Sequence, residues 1–323
     1  MLFHGTCQAP LMKESIAISP LTVYSDRIYM PQVSDRAVSQ TANSSIDFLN
    51  DVIEGLLAPT RSLPSKYFYD EIGSALFDEI CELDEYYPTR LETEIMVDGG
   101  EEIADRLGSN VRLVEFGSGS SRKTRVLLDH LVDPSLYVPI DISAEHLMRT
   151  ADSLASEYPL LNVSPVVADF TMPVEIPACD HGECKTCVYF PGSTIGNFVP
   201  SEAMQLLADV ADSSEVGDGL LIGFDLQKEV AVIEAAYNDR AGVTAAFNKN
   251  VLYRINAELG ADFDVEQFAH LAFYNELAGR IEMHLVSQCG LQGIHYFIPL
   301  YLSYLRCLLF GFCQKLQNYY HLH

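Results

Sequence analysis

Basic residues are scarce in this sequence. The chain of 323 residues has 20 Lys and Arg against 45 Asp and Glu, a formal net charge of −25. A surface this negative repels phosphate backbones, so we expect no nucleic acid partner. Cysteines are also few, because eight with irregular spacing do not form a disulfide scaffold. This low cysteine count favours a reducing, cytoplasmic location.

Long apolar runs are rare as well. The first residues, MLFHGTCQAPLMKES, lack a basic segment followed by an unbroken apolar stretch, so we predict no signal peptide. The apolar run YFIPLYLSYLRCLLFGF (296–312) is short for a membrane span and contains Pro299 and Arg306, so we expect no membrane anchor. With 48% hydrophobic and 20% charged residues, the composition is that of a soluble globular protein with an ample core.

Residues 288–323 contain no Asp or Glu, so all 45 acids lie in the first 287 residues. We interpret this break in composition as a segment foreign to the preceding fold. An altered reading frame, an unusual splice, or a truncation with a replacement end would each produce it.

The apolar pattern predicts an α/β fold. Short apolar strands alternate with helix-length segments such as 122–132 and 144–157, which favours a parallel sheet covered on both faces. We also predict a helix with Ser45 as its N-cap, a helix starting near Pro88, helical structure over 228–274 and an edge strand at 280–287. The predicted parallel strands are 111–116, 136–140, 163–168, 186–191 and 219–224.

The stretch LVEFGSGSSRKTRVLLDHL (113–131) places an acid and two glycines between a strand and a helix. No glycine precedes Lys123, which excludes a loop that cradles a nucleoside triphosphate. Arg122 stands where a dinucleotide fingerprint needs its third glycine. The remaining pattern of Glu115, Gly117 and Gly119 is typical of a methyl-donor loop, although a tight turn without a ligand is the alternative. The Glu115 carboxylate suits an amino acid ammonium group or fixes the loop.

Carboxylates also end the next two strands. Asp141 follows Gly117 by 24 residues and is placed to accept hydrogen bonds from both hydroxyls of a ribose. Asp169 can accept the adenine amino proton, and Phe170 can stack on the base. Strand-end Asp residues that only cap a helix are the alternative. Because three consecutive strands end at one edge of a sheet, their residues together predict a nucleoside site there.

The segment FPGSTIGNF (190–198) ends in an amide at the mouth of the predicted site. Asn197 offers both an acceptor and a donor, which suits an amino acid head group; a glycine-rich turn capped by Asn197 is the alternative. A third segment, CDHGECKTC (179–187), places three cysteines near His181. Its C-x4-C-x2-C spacing is unusual for structural zinc, so we predict a surface loop without a metal, with Cys187 entering the fourth strand.

Five tyrosines are candidates for the substrate side: Tyr67, Tyr69, Tyr86, Tyr87 and Tyr237. We predict that Tyr67 and Tyr87 pack in the core. Repeated methylation of an amine ends in a quaternary cation, which aromatic faces attract by about 0.5–2 kcal/mol each. Several of these tyrosines are therefore expected to line the substrate side.

Six segments of the chain, taken in their sequence order, strengthen the interpretation of a methyl-donor site. Between roughly residues 46 and 287, the chain resembles the histidine-specific, S-adenosylmethionine-dependent methyltransferases of ergothioneine biosynthesis. The resemblance implies three methyl transfers to the α-amino group of L-histidine, giving hercynine, by direct displacement without a covalent intermediate. We expect a cytoplasmic monomer that acts on this small molecule. The segments are KYFYDEIGSALFDEICELDEYYPTRLETEI, LVEFGSGSSRKTRVLL, YVPIDIS, ADFT, FPGSTIGNF and AAYNDRAGVTAAFN.

The resemblance also implies two domains. A class I Rossmann-like methyltransferase domain (99–226) interrupts a discontinuous α+β substrate domain (44–98 and 227–287) whose C-terminal part is incomplete. A loose arm (1–43) precedes them and an atypical apolar tail (288–323) follows. When the family motifs are carried over to this chain, they imply that Tyr69 and Asn197 orient the lone pair of the substrate amine. The other implied residues are Gly117, Lys123, Asp141, Asp169 and Phe170 for S-adenosylmethionine, with Glu115 and Gly119 in its loop, and Tyr86, Gly192, Thr194, Asn197, Tyr237 and Met283 for the substrate.

The tail departs from the family pattern, which continues into a segment whose Glu and Ser recognise the substrate imidazole. No Glu follows residue 287 here. Three hypotheses remain open. The chain is a histidine methyltransferase, or a relative that methylates an indole-type amino acid, or an inactive donor-binding remnant whose tail binds a membrane or a partner.

Overall fold

The computed structural model describes residues 35–179, 184–288 and 297–303, with side chains for 45–179 and 184–288. The chain divides into two units after Asn43. Helix α1 spans Asp35–Leu57, so the predictions of a loose arm over 35–43 and of an N-cap at Ser45 are wrong. The stretch DRAVSQTANSS contains no Pro or Gly to interrupt the helix. Residues 1–34 lie outside the described residues.

Five parallel strands form the central sheet. They are β1 (Val111–Phe116), β2 (Leu136–Asp141), β3 (Val166–Val167), β4 (Lys185–Phe190) and β5 (Gly219–Ile222), in the order β3-β2-β1-β4-β5. This is the strand order of a doubly wound α/β sheet, and it confirms the predicted parallel sheet and Rossmann-like fold. The third predicted strand is shorter than expected, with a separate bridge between Val163 and Tyr137. Between that bridge and β3, Pro139 of β2 has no N–H to donate to the ladder.

Both faces of this sheet are buried. On one face, Leu113 of β1 packs in a cluster with residues of α3 (Tyr87–Leu107), α4 (Arg122–His130) and α5 (Ala144–Glu157). On the other face, Val114 packs with Ile140. Phe190 at the end of β4 packs against helix α6 (Pro200–Ser213). Burial on both sides explains why these strands read as continuous apolar runs.

A second core lies apart from these clusters. It joins α1, α2 (Glu71–Cys81), α7 (Val230–Tyr237), α8 (Val243–Leu259), β6 (Phe268–Asn275) and β7 (Arg280–Ser287). Strand β7 also pairs with β8 (Phe297–Ser303), which gives an antiparallel sheet in the order β6-β7-β8. In the sequence, the residues of this core come from segments that precede and follow the strands of the parallel sheet. Short 3-10 turns at Ser65–Phe68, Thr194–Asn197 and Val265–Gln267 complete the fold.

Two secondary-structure predictions are wrong in this region. Residues 268–274 are not helical but belong to strand β6. Residues 280–287 are not an edge strand, because β7 lies between β6 and β8. The polar residues Glu282 and His284 suggested a solvent-facing strand, yet both are buried, where Glu282 bonds Arg280 at 2.7 Å and His284 at 3.0 Å.

The cysteine segment holds a disulfide between Cys179 and Cys184, which the sequence did not predict. Cys187 is buried in β4, as predicted, whereas His181 lies outside the described residues. Across residues 35–179, 184–288 and 297–303, no His, Cys, Asp or Glu cluster suits a metal ion. No helix in those same ranges has both the length and the apolar character needed to cross a bilayer.

Candidate active site

A cavity of about 680 Å³ lies at the carboxyl edge of the parallel sheet. Its volume is within the range of about 300–1,000 Å³ that is usual for small-molecule sites. The walls come from the ends of β1, β2 and β4, and from α2, α8 and β7. All fourteen residues that the sequence predicts for the site line this cavity: Tyr69, Tyr86, Glu115, Gly117, Gly119, Lys123, Asp141, Asp169, Phe170, Gly192, Thr194, Asn197, Tyr237 and Met283.

The turn between β1 and α4 depends on two glycines. Gly117 and Gly119 have φ of +69° and +48°, a conformation that is strained for any residue with a Cβ. The amides of Gly117 and Ser118 donate to the carbonyl oxygen of Ile140 at 2.9 and 3.2 Å, which holds the turn against the end of β2. A Cβ on Gly119 would meet nothing within 4 Å, so the backbone there borders open space.

Glu115 is buried beneath this turn, with 1% of its surface exposed. Its carboxylate accepts hydrogen bonds from Thr124 at 2.7 Å and from the Tyr137 hydroxyl. Burial raises the Glu115 pKa to about 7, against the lowering effect of these two bonds. Of the two roles left open for Glu115, these contacts favour fixing the loop, because they tie the start of α4 to β1 and β2.

Asp141, at the end of β2, is held by two backbone amides. Gly119 donates to Oδ2 and Ser143 donates to Oδ1, each at 3.0 Å. A carboxylate has about four acceptor positions, so both oxygens can still accept from a ligand hydroxyl. The side chain is therefore fixed in one orientation while it borders the cavity.

Asp169 and Phe170 both have partners that the sequence did not suggest. The Asp169 carboxylate accepts from Lys66 Nζ at 3.2 Å and from the Thr171 amide at 3.0 Å. The Phe170 ring stacks on Phe116 with centroids 5.2 Å apart. Lys66 belongs to the 3-10 turn Ser65–Phe68 and itself lines the cavity, so this turn covers the Asp169 side of the site.

The cavity wall also carries phenols and an amide. The Tyr69 hydroxyl is hydrogen-bonded to Asn197, and Tyr86 is hydrogen-bonded to Tyr237. Burial, assisted by the nearby acids Asp141 for Tyr69 and Asp225 for Tyr237, raises the pKa of both phenols. Both hydroxyls therefore stay neutral near pH 7.

Tyr67 and Tyr87 do not line the cavity, and both are buried, as predicted. The Tyr67 hydroxyl donates to Asp51 at 2.6 Å, and that of Tyr87 donates to Asp225. Their hydroxyls bond the half-buried carboxylates of Asp51 and Asp225 and do not themselves line the cavity. The sequence therefore separated packing tyrosines from cavity tyrosines correctly.

Comparison with known proteins places this geometry in a family. Residues 48–295 match the family described as histidine-specific methyltransferase, SAM-dependent. The chain belongs to this family. It is 44% identical over 249 residues, 76% of each chain, to a histidine N-alpha-methyltransferase of Mycolicibacterium smegmatis. It is 46% identical over 239 residues, 73% of each, to one of Mycobacterium tuberculosis. It is 31% identical over 229 residues, 67% of this chain and 30% of that protein, to ergothioneine biosynthesis protein 1 of Schizosaccharomyces pombe.

The site residues fit the S-adenosylmethionine that the histidine-specific methyltransferase family uses. Ser118, in the glycine turn, lines the cavity with 5% of its surface exposed, and its buried hydroxyl has no hydrogen-bond partner among the described residues. Buried polar groups are normally satisfied, so this hydroxyl needs a ligand or solvent partner. Together with the Asp141 carboxylate and the bare backbone of Gly119, it offers polar contacts suited to a nucleoside.

Sequence reasoning missed Glu92, Lys66 and Ser118. Glu92 accepts from Lys123 Nζ at 2.6 Å and from the Gly192 amide at 2.9 Å, so it contacts two of the predicted site residues. Neither Glu92 nor Lys66 stands at a strand end, and although both lie in the first family segment (66–95), nothing in that segment assigned them a role. Ser118 lies inside the glycine turn, so its position in the motif was the one available signal.

Proposed function

We propose that this chain transfers methyl groups from S-adenosylmethionine to the α-amino group of L-histidine. Three successive transfers would give hercynine, a step of ergothioneine biosynthesis. Membership of the histidine-specific family supports S-adenosylmethionine as the donor and histidine as the substrate. The names of the two mycobacterial relatives support the α-amino nitrogen as the atom that is methylated. The observation that carries the proposal is that one cavity joins the strand-end carboxylates Asp141 and Asp169 to the Tyr69–Asn197 pair.

The carboxyl edge of the parallel sheet would hold the donor. When bound, S-adenosylmethionine supplies a methyl group activated by its sulfonium centre. In this proposal Asp141 accepts from the ribose hydroxyls, Asp169 and Phe170 contact the adenine, and Lys123 pairs with the carboxylate of the amino acid portion. The glycine turn and Ser118 complete this side, and Glu115 supports the turn from below.

The phenol and amide end would hold the amino acid. An amine must lose its proton before it can accept a methyl group, and burial favours this loss because it disfavours the charged form. Asn197 donates to the Tyr69 oxygen, since this bond lowers the Tyr69 pKa, and this leaves the amide oxygen to accept from an amine N–H. Tyr69 and Asn197 together would orient the nitrogen lone pair.

Aromatic faces suit the charge that builds up over the three transfers. The Tyr86 and Tyr237 rings meet edge to face with centroids 5.9 Å apart, and both line the cavity. A quaternary ammonium offers no N–H, so it is held by aromatic faces rather than by hydrogen bonds. We propose that these rings, with Gly192, Thr194 and Met283 nearby, keep the partly methylated amine in place between turnovers.

The test is a methylation assay on the purified full chain. With S-adenosylmethionine and L-histidine, mass spectrometry should detect mono-, di- and trimethylated histidine in succession. Asn197→Ala should lower kcat/KM by about 10–100-fold, because it removes the acceptor for the amine and the partner of the buried Tyr69 hydroxyl, a loss of about 1–3 kcal/mol. Asn50→Ala is the matched control, because Asn50 is exposed on α1 and distant in sequence from the site residues.

Two outcomes would contradict the proposal. If L-tryptophan competes successfully with L-histidine and is methylated in its place, the chain is a methyltransferase of an indole-type amino acid. If calorimetry detects donor binding but neither amino acid is methylated, the chain is a donor-binding remnant. Fractionation with and without residues 288–323 then tests whether that tail binds a membrane.

A further inference from the structure

Glu92 lies behind the cavity wall, where the start of α4 meets the loops after β4 and β5. It is on the second turn of α3, and its carboxylate is about as shielded as its partner, since the side chains of Glu92 and Lys123 are each 16% exposed. Oε2 accepts from Lys123 Nζ at 2.6 Å, and the Gly192 amide donates to both oxygens at 3.0 and 2.9 Å. Glu92 does not line the cavity, whereas Lys123 and Gly192 do.

The surrounding backbone is shaped to admit this carboxylate. A Cβ on Gly223, just after β5, would lie 1.9 Å from Glu92 Oε1, so any larger residue there would displace the carboxylate. Gly192 has φ of +78°, and a Cβ there would approach both Lys123 Nζ and Thr194 Oγ1 to 3.3 Å. Two glycines, in the loops after β4 and β5, thus leave the space that Glu92 and Lys123 occupy.

We propose that Glu92 is a positioning residue that fixes Lys123 and the Gly192 turn relative to each other. This inference rests on the proposed function, in which Lys123 serves the donor and the turn ending in Asn197 serves the amino acid. One arm of Glu92 is an ion pair to Lys123, and the other is a hydrogen bond from the Gly192 amide. A single carboxylate therefore sets the spacing of the two half-sites.

The two arms can be separated by substitution. Glu92→Gln keeps a carbonyl oxygen for the Gly192 amide but removes the negative partner of Lys123. Glu92→Ala removes both arms. Glu94→Gln is the matched control, because Glu94 is exposed on the same helix. Calorimetry on the full chain then measures two dissociation constants, one for S-adenosylhomocysteine and one for L-histidine with S-adenosylhomocysteine bound.

Glu92→Gln should weaken S-adenosylhomocysteine binding about tenfold, or about 1.4 kcal/mol, and leave histidine binding within about twofold. Glu92→Ala should weaken both ligands, because the Gly192 turn loses its acceptor. In a Lys123→Gln background, Glu92→Gln should cause no further loss of S-adenosylhomocysteine binding, since residues that act as a pair are not additive.

Two results would overturn the inference. One is that both Glu92 variants bind both ligands as the Glu94→Gln control does. The other is that the Glu92 variants melt at a lower temperature while their folded fraction keeps both dissociation constants, which would show a purely structural role. Neither measurement depends on methyl transfer, so a chain that binds its ligands but fails to methylate histidine would contradict only the proposed function.

Discussion

Glu115 should make the stability of this protein depend on pH in an unusual direction. Its pKa of about 7 in the folded protein lies above the ordinary 4.5 because the carboxyl is buried. Between these values the folded protein keeps a proton that the unfolded chain has released. The stabilisation of the folded protein by this proton is therefore fully present below about pH 4.5 and is lost as the pH rises through 7. At about 1.36 kcal/mol per pH unit, the full loss is about 3 kcal/mol.

The substitution Glu115→Gln isolates this effect, because glutamine does not titrate. The glutamine keeps one acceptor oxygen for Thr124 and Tyr137, but its NH2 group faces a hydroxyl that also donates. We therefore expect the variant to lose the same amount of free energy of unfolding at every pH. The difference in free energy of unfolding between wild type and variant should nevertheless change by about 2 kcal/mol between about pH 5.5 and pH 8.5, in favour of the variant at high pH.

Urea unfolding at several pH values measures this difference. The chain has no tryptophan, so far-ultraviolet circular dichroism is a suitable probe. Glu94→Gln, an exposed acid on α3, should run parallel to wild type across the whole range. If the Glu115→Gln profile is also parallel to wild type, the buried carboxyl does not carry the proton and the reasoning is refuted.

Three further substitutions test the site. Asp141→Asn replaces an acceptor of the Gly119 or Ser143 amide with a donor, and calorimetry should show S-adenosylmethionine binding about 10–100-fold weaker; binding within twofold of wild type would contradict this. Gly192→Ala should lower the free energy of unfolding in urea by about 1–2 kcal/mol, because its φ is +78°; an unchanged midpoint would contradict the strain. Tyr69→Phe should lower kcat about tenfold with L-histidine, whereas an unchanged kcat would mean that the hydroxyl does not orient the amine.

The cavity wall at the strand ends was readable from sequence for a topological reason. Parallel strands end at one edge, so Glu115, Asp141 and Asp169, each at or just after a strand end, had to come together once the strands were recognised. Lys66 and Glu92 reach the same region from helices and turns far away in sequence. No local pattern encodes such long-range contacts, so the structure was needed to find them.

The antiparallel sheet was misread because its polar residues are satisfied by tertiary contacts. His270 of β6 bonds Asn248 of α8 and the carbonyl oxygen of Tyr237, each at 2.8 Å, so a polar residue is accommodated in a mostly buried position. Burial lowers the His270 pKa, in keeping with a neutral ring. Without knowledge of these partners, FAHLAFYN shows no clear alternation and was taken as part of a helix.

Tyr69 stands at the boundary between the two halves of the cavity, bonded to Asn197 and close enough to Asp141 for that carboxylate to raise its pKa. Under the proposed function, binding of one ligand beside Tyr69 would change the electrostatic setting that the other ligand meets. Thermodynamic linkage makes this influence mutual: whatever factor the nucleoside imposes on amino acid affinity, the amino acid imposes on nucleoside affinity. Order of addition then governs only the kinetics, while the ternary complex has the same free energy by either route.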